Sequence, residues 1–163
     1  DRVLKDGEIL QLGSQNWTVL HTPGHHPEHL CLISNSGLIA GDMVAGIGTI
    51  LIPPGQGDMM TYIEQLERLL DLDPHLIFPS HGPVIPLPSR TLEHYIRHRS
   101  IRHDKVLAAV EEGNSELDLI AKMAYQDTPD AHPGLAVDQT LSHLLSHEKD
   151  GKVMRVDDGW VRT

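Results

Sequence analysis

Cysteine is almost absent from this 163-residue sequence, since Cys31 is the only one. A single thiol excludes both a disulfide framework and a zinc site built on cysteines. Positive charge is also scarce: 13 Lys and Arg stand against 23 Asp and Glu, which leaves a formal net charge of −10. A general nucleic-acid-binding protein needs a basic surface, so this composition argues against that class.

Long apolar runs are missing as well. No stretch reaches the roughly 20 apolar residues that a membrane-spanning helix needs, and no secretory signal peptide is recognisable. We therefore expect a cytoplasmic protein with no membrane partner. The apolar share of 39% is enough to build a core, and the length suits one ordinary domain or two small ones.

The hydrophobic pattern changes near residue 88. Before that point, short apolar runs separated by Gly, Pro and Asn predict strands, together with one amphipathic helix and a long active-site-type loop over residues 43–58. After it, we predict helices over 90–112, 115–125 and 135–151, followed by a β-hairpin. The pattern thus predicts an α/β (α+β) fold in two parts, residues 1–88 and residues 89–163.

Histidine is abundant, with 12 in the chain, and four of them lie in the segment HTPGHHPEH at residues 21–29. On a helix, His21 and His25 would share one face. The Pro23-Gly24 pair between them excludes a helix, because proline breaks the hydrogen-bond ladder and glycine favours turns. We therefore expect this segment to be a loop that leaves a strand.

Three predicted strands each end in a His or Asp set among Gly and Pro residues: the first ends in the histidine cluster that contains His21 and His25, and the others end in Asp42 and His81. If these strands are neighbours that point the same way, the three side chains gather at one edge of the sheet. Small residues beside each of them leave room for an ion and its water. Any one of them alone would read as a solvated loop residue, but their joint occurrence favours a metal site.

The segments HTPGHHPEH, LIAGD and PSHGP closely resemble, in this order, three metal motifs of the metallo-β-lactamase superfamily. ILIPPGQGDMMTYIEQLERLLDLDP and YIRHRSIRHDKVL are similar to its lactamase-B2-like branch, whose members append a winged-helix domain. The resemblance implies that His25, Asp42 and His81 are metal ligands, with Asp42 bridging two ions. It also implies supporting or packing positions for His21 and His29.

The first ligand motif of that superfamily, His-x-His-x-Asp-His, is absent from this sequence. Two zinc ions need about four or five ligands each, including a bridging water, and the three residues above do not supply them. The chain therefore resembles the C-terminal half of an αββα sandwich followed by a winged helix. We expect it to bind zinc weakly and to be inactive alone, and we assign no catalytic residue within it. His26 departs from the branch pattern and receives no ligand role.

For the intact protein, the resemblance implies a di-zinc hydrolase that acts through a metal-bound hydroxide. Iron or manganese could take the place of zinc. The bond class stays open among ester, thioester, amide and phosphodiester, because a fold does not fix its chemistry. Two alternatives remain: a nucleic-acid-binding winged-helix module, and a non-catalytic fragment that self-associates.

One basic stretch occurs, on the predicted helix over 90–112. Its His98, Arg99 and Arg102 coincide with the branch pattern, and we expect them at a rim that attracts an anionic substrate. A solvated helix face with salt bridges is the alternative. Residues 135–148 contain no Lys or Arg, and DNA affinity depends on phosphate contacts, so we do not expect DNA binding.

The first part of the chain should expose an apolar sheet face if the other half of the sandwich is missing. Residues that could supply such a face are Leu10, Leu12, Val19, Leu30, Leu32, Leu38 and Ile77. A second copy can cover an apolar patch, most commonly in a two-fold dimer. We therefore expect a homodimer whose interface lies on residues 1–88.

Overall fold

A computed structural model of the chain describes residues 2–163, so Asp1 of the predicted first part lies outside it. Five strands form one sheet in chain order: β1 (Ile9–Leu12), β2 (Gln15–His21), β3 (Leu30–Ser34), β4 (Gly37–Gly41) and β5 (Ile77–Pro79). Neighbouring strands are antiparallel except β4 and β5. Those two are parallel, and helix α1 (Met59–Asp71) lies between them in sequence.

The second part of the chain is helical and ends in a hairpin. Its elements are α2 (Pro88–Glu111), α3 (Leu117–Ala124), α4 (Pro133–Lys149), β6 (Val153–Val156) and β7 (Gly159–Arg162). The predicted order of three helices and a hairpin is confirmed, as is the α/β (α+β) class. Among residues 2–163, no helix is long and apolar enough to cross a membrane.

Helix α1 covers one face of the sheet, which we call the closed face. The helix begins after Asp58, whose carboxylate accepts a hydrogen bond from the backbone N–H of Thr61 (2.9 Å) and so satisfies a free amide of the first turn. Its apolar side is buried in one core with the sheet. The members from α1 are Met59, Tyr62, Ile63, Leu66 and Leu69, and those from the closed face are Leu20, Cys31, Leu38, Ala40 and Ile77.

The opposite face of the sheet, which we call the open face, is apolar and partly exposed. The strand register places Val19, Leu32, Ile39 and Phe78 in one row across four strands. Ile39 is 39% exposed. Together with Trp17 and Phe78, it lines an open cavity of about 550 Å³.

Strand register divides the residues predicted for an exposed face between the two sides of the sheet. Successive side chains of a strand alternate between faces, so one step of register decides which face a residue joins. Leu38 and Ile77 are paired neighbours on the closed face and are fully buried, so including them was wrong. The register places the remaining five on the open face: Leu10, Leu12, Val19, Leu30 and Leu32. Of these, Val19 is already fully buried within the chain.

Helix α2 belongs to two hydrophobic cores. Leu92 and Tyr95 in its first half pack with the closed face and α1. Val106 and Val110 in its second half pack with α3, α4 and Trp160 of the hairpin. The predicted boundary after residue 88 falls at the first residue of α2, whereas the two cores divide within that helix. The division of the chain into two domains stays a prediction.

Three buried histidines connect α2 to α4. The rings of His103 and His147 stack with their centroids 3.6 Å apart, and the Nδ1 atoms of His103 and His143 are 3.1 Å apart. Burial lowers the pKa of all three rings, and for His103 it lowers the pKa to about 4. The folded protein therefore favours their neutral forms.

We expect the free energy of unfolding to fall as the pH drops from 6.5 towards about 4. In that window the unfolded chain binds more protons than the folded one, because the folded-state pKa values lie below the unfolded value, so acid favours unfolding. Urea unfolding followed by circular dichroism across this window measures the effect. His143→Gln should reduce the pH dependence, and the exposed His132→Gln is the matched control. An unreduced pH dependence in His143→Gln would contradict this explanation.

Candidate metal centre

Three loops at one edge of the sheet carry His25, Asp42 and His81. The first follows β2, the second follows β4 and the third follows β5. Strands β2 and β4 run in the same direction because each pairs antiparallel with β3, and β5 is parallel to β4. The carboxyl ends of all three strands therefore meet at one edge, as predicted from the sequence.

The carboxylate of Asp42 lies between the two histidine rings. His25 Nε2 is 3.6 Å from Asp42 Oδ2, and His81 Nε2 is 3.2 Å from Asp42 Oδ1. Within residues 2–163, Oδ1 is buried and accepts no hydrogen bond, so the His81 contact is close without hydrogen-bond geometry. A buried carboxylate oxygen without a donor is unfavourable unless a cation binds it.

These separations match those of ligand pairs on a common ion. Zinc bonds of about 2.0–2.2 Å at a tetrahedral angle place two ligand atoms about 3.3–3.6 Å apart. Each oxygen of Asp42 thus has its own histidine at nearly this separation. Among residues 2–163, no group of three or more His, Cys, Asp or Glu side chains is placed to hold a metal ion. The arrangement at Asp42 consists of two pairs that share one carboxylate. The donor atoms and these separations are compatible with the half of a dinuclear centre that the resemblance implies, and this assignment stays a prediction.

A backbone carbonyl orients the ring of His25. The carbonyl of Leu51 can only accept, so His25 Nδ1 carries the proton and donates to it (2.7 Å). The lone pair is then on Nε2, the atom that faces Asp42 and that would bind a metal.

The glycine of HTPGH lets this loop lie against α1. Gly24 has a φ of 133°, and a Cβ there would collide with the backbone of Tyr62. Its carbonyl accepts the backbone N–H of Asp58 (2.8 Å), the residue that caps α1. The motif therefore fixes His25 relative to the start of the helix.

His29 supports Asp42 from behind. Its Nε2 accepts the backbone N–H of Asp42 (3.0 Å), so its Nδ1 carries the proton and donates to Thr22 Oγ1 (2.8 Å). Burial lowers the pKa of His29, which favours the neutral ring that this arrangement needs. These contacts are compatible with the supporting position that the resemblance implied for His29, which stays a prediction.

His21 and His26 make bonds within their own loop. The Nε2 of His21 donates to the carbonyl of Pro27 (2.8 Å), which holds the two ends of the loop together. The Nδ1 of His26 accepts the backbone N–H of Glu28 (3.2 Å). A supporting position for His21 stays a prediction, and His26 has no assigned role.

The predicted substrate rim does not include Arg99 or Arg102, which are 1% and 2% exposed. The prediction for these two residues was wrong because their guanidinium groups bind acceptors inside the protein. Arg102 pairs with Asp127 (3.0 Å) and lies over the ring of Tyr125. His98 does border a small open cavity between α2 and the loop at Gly48.

Comparison with known proteins identifies the family. The sequence profile described as the metallo-beta-lactamase superfamily matches residues 1–81. The chain belongs to this superfamily. A beta-lactamase-like protein 2 homolog from Drosophila melanogaster is 37% identical over 142 residues, which cover 85% of this chain and 47% of that protein. That similarity is consistent with the lactamase-B2-like branch.

Two further similarities cover nearly the whole chain. A solved beta-lactamase domain protein from Burkholderia ambifaria superposes with a TM-score of 0.85 at 25% identity, over 99% of this chain and 52% of that one. An atrochrysone carboxyl ACP thioesterase from Paecilomyces divaricatus is 23% identical, over 98% of this chain and 51% of that protein. The chain therefore spans about half the length of the relatives it matches.

Weak zinc binding is expected from a centre with one bridging carboxylate and two histidines. Metal analysis after dialysis should give well under two ions per chain. In competition with a zinc-binding dye, His25→Ala and His81→Ala should each lower the affinity by at least about tenfold, the loss that even a residue behind a ligand produces. His26→Ala, a loop histidine of the same segment, should retain the affinity. Equal affinities in all four proteins would contradict this ligand assignment.

Proposed function

We propose that this chain supplies one half of the ligand set of a dinuclear metallohydrolase. The observation that carries the proposal is the Asp42 carboxylate, each of whose oxygens has one histidine Nε2 at 3.2 or 3.6 Å. The buried Oδ1, which accepts no hydrogen bond within residues 2–163, supports it. Membership of the metallo-β-lactamase superfamily supports hydrolysis as the reaction class.

Two divalent ions bound here would supply an activated water near neutral pH and would polarise the bond to be cleaved. Asp42 would hold both ions at a fixed separation, while His25 and His81 would each bind one through Nε2. His29 would keep Asp42 in place, because its Nε2 accepts the backbone N–H of Asp42. Zinc suits nitrogen and oxygen ligands at these separations, and iron and manganese accept the same ligand types.

The remaining ligands are proposed to come from a His-x-His-x-Asp-His segment outside this sequence. Two observations support this: the centre has three ligand-type side chains, and the chain covers 47% of the Drosophila relative. We propose a thioester as the first substrate bond to test, because one relative is named as a thioesterase. Esters, amides and phosphodiesters are the other bonds to test.

Nucleic-acid binding is not the function we favour for the second part of the chain. Helix α4 ends at Lys149, whose ammonium pairs with Asp58 (2.8 Å). Gln139 and Ser142 on the same helix are buried against a loop of the first part. A helix whose polar groups bond to its own protein is a poor reader of a DNA groove.

The chain alone, supplied with zinc, should hydrolyse thioester, ester, lactam and phosphodiester probes no faster than its metal-free control. The reason is the incomplete ligand set. The longer protein that carries the missing motif should hydrolyse one of these probes, and His25→Ala or Asp42→Ala should abolish that activity. Turnover by the chain itself that the same two substitutions remove would contradict the half-site proposal.

The open face supports a second proposal, that the chain forms a homodimer. A second copy is the proposed occupant because two such sheets would cover each other's apolar rows, and two-fold pairing is the commonest solution. At ~25 cal/mol per Å², covering an apolar patch of several hundred Å² contributes several kcal/mol. The winged helix predicted for the second part would then lie at the periphery.

Light scattering at micromolar concentration should report the mass of a dimer. Ile39→Lys places a charge in the centre of the open face and should give a monomer. Ile101→Lys is the matched control, since Ile101 is 47% exposed on α2, outside the sheet, and its variant should stay dimeric. A monomeric wild-type chain would contradict the proposal.

A further inference from the structure

Helix α4 binds the backbone of the 43–58 loop through two buried polar side chains. The amide of Gln139 makes two bonds to one residue: its Oε1 accepts from the backbone N–H of Ile52 (3.3 Å), and its Nε2 donates to the Ile52 carbonyl (3.0 Å). Ser142 Oγ also donates to that carbonyl (2.6 Å). Both the amide and the carbonyl of Ile52 are therefore satisfied by α4.

Arg99 of α2 fixes the orientation of the Gln139 amide. It donates to Gln139 Oε1 (2.8 Å), to Thr49 Oγ1 (3.0 Å) and to the Ile50 carbonyl. Within residues 2–163 this guanidinium pairs with no carboxylate, although it is almost fully buried. Burying a charge is costly unless its donors are used. The two terminal nitrogens of Arg99 donate to Gln139 and the loop, whereas its Nε has no hydrogen-bond partner within residues 2–163.

The segment held in this way presents a single carbonyl to the candidate metal centre. Ile50 and Ile52 are buried and bound by Arg99 and Gln139, and Leu51 lies between them. The side chain of Leu51 is partly exposed, whereas its carbonyl accepts the Nδ1 proton of His25 (2.7 Å). The chain of contacts thus runs from α4 through residues 50–52 to a predicted metal ligand.

We infer, building on the metal centre proposed above, that Gln139 is a positioning residue for His25. Together with Arg99 it holds residues 50–52 so that the Leu51 carbonyl keeps the imidazole proton on Nδ1. The Nε2 lone pair of His25 then stays directed towards Asp42 and available to an ion. The helical second part of the chain would in this way contribute to a site that contains none of its own side chains.

The test compares two substitutions at neighbouring buried positions of α4. Gln139→Leu removes both bonds to Ile52 at similar volume. Thr140→Val is the matched control, because Thr140 is fully buried and its hydroxyl has no partner within residues 2–163. Long-range ¹H–¹⁵N NMR on the metal-free chain reports which nitrogen of His25 carries the proton, and dye competition reports the zinc affinity.

Gln139→Leu should shift His25 from the Nδ1–H form towards the tautomer mixture of a solvated histidine. It should also lower the zinc affinity by about tenfold or more, the usual effect of losing a partner behind a ligand. Thr140→Val should change neither quantity. A folded Gln139→Leu protein that keeps both the Nδ1–H tautomer and the wild-type affinity would overturn the inference.

Gln139→Glu keeps the test decisive if the leucine variant does not fold. It retains the acceptor for Arg99 and for the Ile52 amide, but it loses the donor to the Ile52 carbonyl. The tautomer and the zinc affinity should change in the same direction as in Gln139→Leu. If neither changed, the inference would be overturned. The His25 tautomer is measured without metal, so a shift in it supports the positioning role whether or not His25 binds zinc. If His25→Ala left zinc binding unchanged, that result would count against the metal centre and not against the positioning role.

Discussion

The carboxylate of Asp42 is the group on which the arrangement of the site depends. It follows β4, whose direction β2 and β5 share, so the loops after these strands bring a histidine to each of its oxygens. The backbone N–H of Asp42 donates to His29 Nε2, which holds the Asp42 backbone in place. Burying a carboxylate oxygen that accepts no hydrogen bond is unfavourable. A cation bound between each carboxylate oxygen and its imidazole nitrogen would remove this cost.

The second part of the chain contacts the loop whose Leu51 carbonyl binds His25, and the proposed ligands include none of its side chains. Arg99 and Gln139 form a buried polar network that joins α2, α4 and residues 49–52. Such networks contribute specificity of packing more readily than stability, since desolvating a guanidinium offsets much of what its hydrogen bonds contribute. The buried histidines between α2 and α4 add a second polar contact. We expect acid to weaken it, because burial lowers the pKa of these rings.

Local chemistry predicted that the histidine cluster, Asp42 and His81 would meet at one edge of the sheet, because each follows an apolar run and is set among Gly and Pro residues that end a strand. The choice of His25 within that cluster came from the resemblance, and its role as a ligand stays a prediction. Arg99 and Arg102 were placed at a rim because a sequence shows charge without showing distant acceptors such as the Ile50 carbonyl and Asp127. Leu38 and Ile77 were assigned to the wrong face because strand register decides the face one residue at a time. Gln139 left no signal, since a lone amide in a helix gives no sign that it will meet a loop 87 residues away.

Crystals of this chain soaked in excess zinc allow a direct test of whether each oxygen of Asp42 binds its own ion. The measurement is anomalous diffraction at the zinc edge. Two peaks are predicted, each about 2.0–2.2 Å from its ligands. One would lie between His25 Nε2 and Asp42 Oδ2, and the other between His81 Nε2 and Asp42 Oδ1. Zinc bound elsewhere, for example by the stacked rings of His94 and His98, with no peak beside Asp42 would contradict this assignment.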